Sequence, residues 1–205
     1  MDIVLFGFEP FLEYKENPSQ LIVESLNGTV IGGASVRGIT LPVIFSKVEE
    51  AIISALQNER PQLAIGIGVA GGRNMITPEK IAINYKNSKE PDMSGMIARG
   101  ERIDHSEPDG IFSNLPVEGL VEELNRKKIP ASLSLSAGGY LCNNAMFVII
   151  REAKRNGYAG GFIHIPFHSE YVMQTKKDFA SMPLNTLRSG IEVSIEYLME
   201  RLHSE

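Results

Sequence analysis

Short apolar runs alternate along this chain with segments of helical spacing, and that alternation restricts the fold more than any other feature. The runs "DIVLF" (2–6), "PQLAIGIGVA" (61–70) and "GGFIHIPF" (160–167) are apolar at successive positions, as strands buried on both faces are. "SVRGITLPVIF" (35–45) and "EKIAINY" (79–85) alternate instead, and "ASLSLS" (131–136) reads as a further strand. Between them lie helices, so the expected fold is α/β, a largely parallel sheet between helical layers. Ligands in such sheets bind beyond the carboxyl ends of the strands. No linker or repeat divides the chain, and residues 1–205, 43% of them hydrophobic, suffice for one domain with a single core.

Local punctuation marks the helices. In "ENPSQLIVESLNG" Asn17 is placed as N-cap, Pro18 opens the helix, Gln20 stands three residues after the cap and Gly28 follows an expected end at residue 27. Ser46 and Glu49 have capping-box spacing at the head of "SKVEEAIISALQNER". Residues 116–128, 140–157 and 184–202 read as further helices. The polar stretch 86–110 has no period and reads as a long loop.

Charge narrows the partners. Twenty Lys plus Arg stand against 25 Asp plus Glu, for a net of -5 without a long run of one sign, which disfavours nucleic acid or an anionic membrane as partner. No window reaches the roughly 18 apolar residues of a membrane span, and "MDIVLFGF" lacks the basic start of a signal peptide. A single cysteine makes no internal disulfide, so a reducing cytoplasmic setting is expected. One cysteine and four scattered histidines offer no zinc pattern, and neither metal nor organic cofactor is expected.

That cysteine, Cys142, follows the turn "SAGGY" at the head of a helix. Free N–H groups and the helix dipole there favour thiolate over thiol, although a lone cysteine in an apolar segment also suits a core. A thiol nucleophile needs a base. His203 is near the C-terminus, His105 is in the charged "IDHSEPDG" and His168 follows the last strand, whereas His164 puts a polar ring inside an apolar strand, with Phe162 and Pro166 on its face. Such a ring is either a satisfied core histidine or a functional one. Glu79 is the carboxylate chosen to orient it, because it too follows a strand and a Gly-rich turn.

Five blocks in order, "FGFEPF" (6–11), "NPS" (17–19), "GGRNMITPEKIAIN" (71–84), "SAGGYLCN" (136–143) and "GFIHIP" (161–166), resemble the pyroglutamyl peptidase I family of cysteine exopeptidases, which remove N-terminal pyroglutamate from peptides. The resemblance implies Cys142 as nucleophile, His164 as general base and acid, and Glu79 as the residue that orients it. It also implies that Phe8 and Phe11 hold the flat, uncharged lactam ring between them; from the residues alone both could be core anchors. By the same resemblance the architecture is a three-layer α/β/α sandwich with a mixed twisted sheet, similar to nucleoside phosphorylases, and the protein a homotetramer without cofactor. Met93 and Met96, apolar residues within the polar loop, would suit such an interface.

The chain departs from the family pattern at several positions. "LEYKEN" (12–17) replaces a Gly-Gly continuation, Lys80 replaces an arginine, and "FHSE" (167–170) replaces a Pro-Glu-Gln type of sequence. Lys89, in "NSKEPD", stands where the family has an arginine that helps bind the oxyanion, and lysine lacks the planar fork. Two alternatives follow: a non-catalytic or altered-specificity small-molecule binding homologue, and a nucleoside phosphorylase or hydrolase on the same architecture.

Overall fold

In the computed structural model residues 3–176 and 178–203 are described. Asp2, the expected start of the first strand, lies outside them. In chain order the elements are β1 (Ile3–Phe8), α1 (Pro18–Leu26), β2 (Val30–Ile31), β3 (Ala34–Leu41), α2 (Phe45–Glu59), β4 (Leu63–Val69), β5 (Thr77–Pro78), β6 (Ile81–Ile83) and β7 (Lys86–Asn87). They continue with β8 (Arg99–Glu101), β9 (Gly110–Phe112), α3 (Val117–Arg126), α4 (Leu141–Asn156), β10 (Ala159–Ile165), β11 (Phe167–His168), α5 (Ser169–Thr175), β12 (Ser181–Met182) and α6 (Leu184–Leu202).

The central sheet runs β2-β3-β1-β4-β10-β5. Its four inner strands are parallel, and the two-residue edges β2 and β5 are antiparallel to their neighbours, so the sheet is mixed and mostly parallel. Alternation along the strands sorts the core into two layers. Ile3, Leu5, Ile65, Ile67, Ile163 and Ile165 face α1, α3 and α6, whereas Val4, Phe6, Ala64 and Phe162 face α2 and α4. Three layers result, and Phe8, Phe11 and Cys142 pack on the second face.

Asn17 caps α1 as expected: its Oδ1 accepts from the Ser19 N–H at 3.0 Å and from the Ser19 hydroxyl at 2.8 Å. Gln20 does not complete the box, because its amide donates to Glu24. The helix ends at Leu26, and Gly28 takes up a φ of 80°.

Three expectations are corrected. The Ser46/Glu49 box does not form; the N-cap is Ile44, two residues before Ser46, and Asp92 Oδ2 accepts the Phe45 N–H at 2.8 Å from 47 residues away. Glu49 is instead 3.0 Å from Arg151. Residues 86–110 are no irregular loop: β6 pairs with β9 and β7 with β8, so 81–112 folds back as a hairpin arm. At its tip Asp92 Oδ1 also accepts from the Ser94 and Met96 N–H groups, which orders the turn that bears Met93 and Met96. Finally, 131–136 forms no strand of the central sheet; it runs beside 76–79 through isolated bridges at Ala131 and Ser134.

Candidate active site

Cys142 is the second residue of α4, whose N-cap is Tyr140. Its Sγ lies over the β4 backbone: a Cβ added to Gly68 would come within 2.8 Å of it. Gly68 is the register partner of His164 on the adjacent parallel strand. Register partners direct their side chains to the same face, so His164 and Cys142 share the face on which Phe162 and α4 pack.

His164 is buried, and its Nδ1 meets Glu79 Oε1 at 2.7 Å. Glu79 is fully buried; its backbone N–H donates to the Phe162 carbonyl at 3.0 Å, which fixes it beside β10. The structure thus brings all three expected residues to the carboxyl ends of β4 and β10.

A fourth residue went unrecognised in the sequence. Arg73, in the "GGRN" turn, donates from Nη1 to Glu79 Oε1 at 2.8 Å and to Thr77 Oγ1, and from Nη2 to the Ser136 carbonyl at 3.1 Å. It joins the carboxylate to the turn that precedes Cys142. The available signal was a lone arginine six residues before a buried glutamate, which spacing alone does not single out.

Electrostatics oppose the expected thiolate. Burial, and secondarily the Glu79 carboxylate, push the Cys142 thiol up to about 12, outweighing Arg73 and the backbone N–H at the helix start. Burial lowers His164 below its ordinary value despite the opposing Glu79. For Glu79, burial raises the pKa, but hydrogen bonds and charge from His164, with help from Ser134 and Arg73, bring the net value below the carboxylate range. These directions favour a neutral thiol and a neutral imidazole beside an ionised carboxylate. Alkylation of Cys142 by iodoacetamide is expected to rise about tenfold per pH unit from pH 7 to 9 without a plateau. The acid limb of kcat/KM is expected below pH ~6.5, because the imidazole must be neutral to act as base. An alkylation plateau between pH 5 and 8 would instead indicate a preformed thiolate–imidazolium pair.

Phe8 is buried with its ring centroid 6.4 Å from Phe162, and Phe11 is half-buried against the same cluster as Phe8 and Cys142. Lys89 is exposed, with no ion pair among the described residues. Its segment is nevertheless docked, since the Asn87 N–H donates to the Gly139 carbonyl at 2.9 Å, three residues before Cys142. Asn143 holds the arm from the other side, donating to the Ile83 carbonyl at 2.8 Å and accepting from the Ile83 N–H at 2.9 Å. Lys80 pairs with Glu118 at 2.7 Å.

A groove of about 570 Å³ lined by Arg73, Thr77, Ser134 and Ser136 adjoins the site. A larger cavity, about 1340 Å³ among Pro61, Gln62, Gly157 and Ala159, lies at the opposite ends of β4 and β10 and contains none of these residues. Among the described residues no group of His, Cys, Asp and Glu side chains could hold a metal ion.

A cysteine, a histidine and a buried glutamate gathered at the carboxyl ends of parallel strands form the arrangement of an α/β thiol hydrolase. The family model for pyroglutamyl peptidase matches residues 1–201, and the chain belongs to this family of cysteine peptidases. The pyrrolidone-carboxylate peptidase of Saccharolobus islandicus is 55% identical over 199 residues, covering 97% of this chain and 95% of the relative. That of Coprothermobacter proteolyticus is 38% identical over 202 residues, covering 98% of each chain. A solved structure of a mutant pyrrolidone carboxyl peptidase from Pyrococcus furiosus superposes with a TM-score of 0.95 at 36% identity, covering 98% of this chain and 100% of the other.

Proposed function

We propose that this chain hydrolyses the bond after an N-terminal L-pyroglutamyl residue of peptides through a thioester on Cys142. The observation that carries the reading is the Glu79–His164 contact of 2.7 Å beside Gly68, over which Cys142 Sγ lies. As Sγ attacks the pyroglutamyl carbonyl, His164 takes the thiol proton, and Glu79, held by Arg73, stabilises the imidazolium. The carbonyl oxygen becomes an oxyanion facing the Cys142 N–H, which the first turn of a helix leaves without an intrahelical acceptor. Collapse breaks the C–N bond, and the imidazolium gives its proton to the leaving amine. His164 then draws a proton from water, hydroxide adds to the thioester, and pyroglutamate leaves as the thiol is re-formed.

Phe8 and Phe11 flank the lactam ring in this reading, apolar faces suiting an uncharged ring. Lys89 supplies positive charge near the oxyanion as a mobile point charge, not a fixed fork. The reaction needs no cofactor. The chain acts as one catalytic domain, in the cytoplasm, as a homotetramer.

Release of a fluorescent amine from an L-pyroglutamyl amide tests the reading, with the L-prolyl amide as control. The proline ring has the same size but carries a charged secondary amine in place of the lactam, so kcat/KM is expected to favour pyroglutamyl by at least about 10³-fold, a charge being costly to bury unpaired. Equal turnover of both amides, or of neither, would refute it.

A further inference from the structure

We propose that Tyr14 and Glu16 are positioning residues, forming with Phe167, His168 and Tyr171 a clasp that fixes the Phe11 wall of the substrate pocket. The inference rests on the reading of Phe11 as one side of the pyroglutamyl site.

The loop after β1 has little backbone support of its own. Leu12 takes up a left-handed φ of 53°, and residues 12, 13 and 15 are exposed. The loop is anchored at its ends, where the Glu9 N–H donates to the Leu41 carbonyl and the Asn17 amide to the Glu9 carbonyl. Between these anchors one backbone bond, from the Tyr14 N–H to the Phe11 carbonyl at 3.1 Å, closes a turn, and side chains hold that turn against the rest of the fold. The Tyr14 ring lies 5.2 Å from Phe11, 5.2 Å from Phe167 and 5.9 Å from Tyr171, so it is wedged between the loop and the segment that follows His164. Phe167 stacks on Phe179 at 5.0 Å and abuts the turn leading to Arg73, where a Cβ on Gly71 would meet its ring at 3.1 Å. Two residues past Tyr14, Glu16 Oε2 is 3.3 Å from Nε2 of buried His168, and Glu170 Oε2 is 3.3 Å from its Nδ1. The Glu16 contact is close enough for an ion pair but not aligned as a hydrogen bond.

Both halves of the clasp fall where the chain departs from the family pattern, residues 12–17 on one side and 167–170 on the other. The structure sets these two departures face to face. A ring held between two aromatic surfaces depends on their separation, and a wall fixed before binding spares the cost of ordering it. Loosening it removes binding shared by ground state and transition state, which raises KM and leaves kcat alone.

Tyr14→Ala is expected to raise KM for the pyroglutamyl amide about tenfold with kcat within about twofold, and Tyr14→Phe, which keeps the ring, to restore KM. Glu16→Gln, at a half-buried position tolerant of change, is expected to raise KM about threefold and serves if Tyr14→Ala fails to fold. An independent measurement needs no turnover: trypsin cleavage after exposed Lys15 should accelerate about tenfold in Tyr14→Ala as the loop opens. An active Tyr14→Ala with unchanged KM, a loss confined to kcat, or an unchanged rate of cleavage at Lys15 each overturns the clasp. Absence of pyroglutamyl turnover in the unsubstituted protein overturns the functional reading instead, and cleavage at Lys15 then decides whether the clasp exists.

Discussion

Replacing Cys142 by serine is expected to lower hydrolysis of a pyroglutamyl amide by about 10⁴-fold or more while leaving the fold intact. The site magnifies the difference between the two nucleophiles. Burial and the Glu79 carboxylate already hold the thiol up to about 12, and a hydroxyl, intrinsically far less acidic, would be harder still for His164 to deprotonate. Nothing in the chain can replace the lost group, since Cys142 is its single cysteine. The same fact allows a stoichiometric check: one equivalent of alkylating agent per chain should abolish turnover. Serine is nearly isosteric, so the unfolding free energy should change by less than about 1 kcal/mol. Turnover within tenfold of the unsubstituted protein would remove Cys142 from the mechanism.

The sheet and the site were legible to different depths, for physical reasons. β4 and β10 are visible because burial on both faces leaves continuous apolar runs. His164 is visible because it interrupts one of them. The start of α4 is visible from "SAGGY", and with it the position of Cys142. What the sequence conceals is supplied from a distance. The cap of α2 comes from Asp92, 47 residues away, so the local Ser46/Glu49 pattern misleads. Of the hairpin arm only β6 shows, within the alternating "EKIAINY"; β7, β8 and β9 are two or three residues long, too short to display a period. The helix terminus at Cys142 favours the thiolate and burial opposes it, and only the first is readable in the sequence, because the dipole is local whereas burial depends on the packed molecule. Arg73 escapes notice because its role exists only once residues 73, 79 and 136 converge.

Gly68→Ala should produce the second large effect, and it tests the geometry instead of the chemistry. The added methyl would lie 2.8 Å from Cys142 Sγ and 2.9 and 3.0 Å from two carbons of the Phe162 ring, all closer than carbon contacts permit. Gly68 sits within β4, between β1 and β10, so the strand itself has little room to retreat. The thiol or the ring must move. Overpacking of this kind costs about 1–3 kcal/mol of stability, and a displacement of about 1 Å at a reacting atom costs about 10²-fold in rate. Phe162→Leu separates the two consequences, because it makes room on the ring side of the methyl and none on the sulfur side. The double variant should recover most of the stability lost by Gly68→Ala, yet remain about 10²-fold slower than Phe162→Leu alone. Recovery of turnover together with stability would mean that the ring, not the thiol, was displaced. Turnover near that of the unsubstituted protein in Gly68→Ala itself would mean that the sulfur does not react from its place over β4.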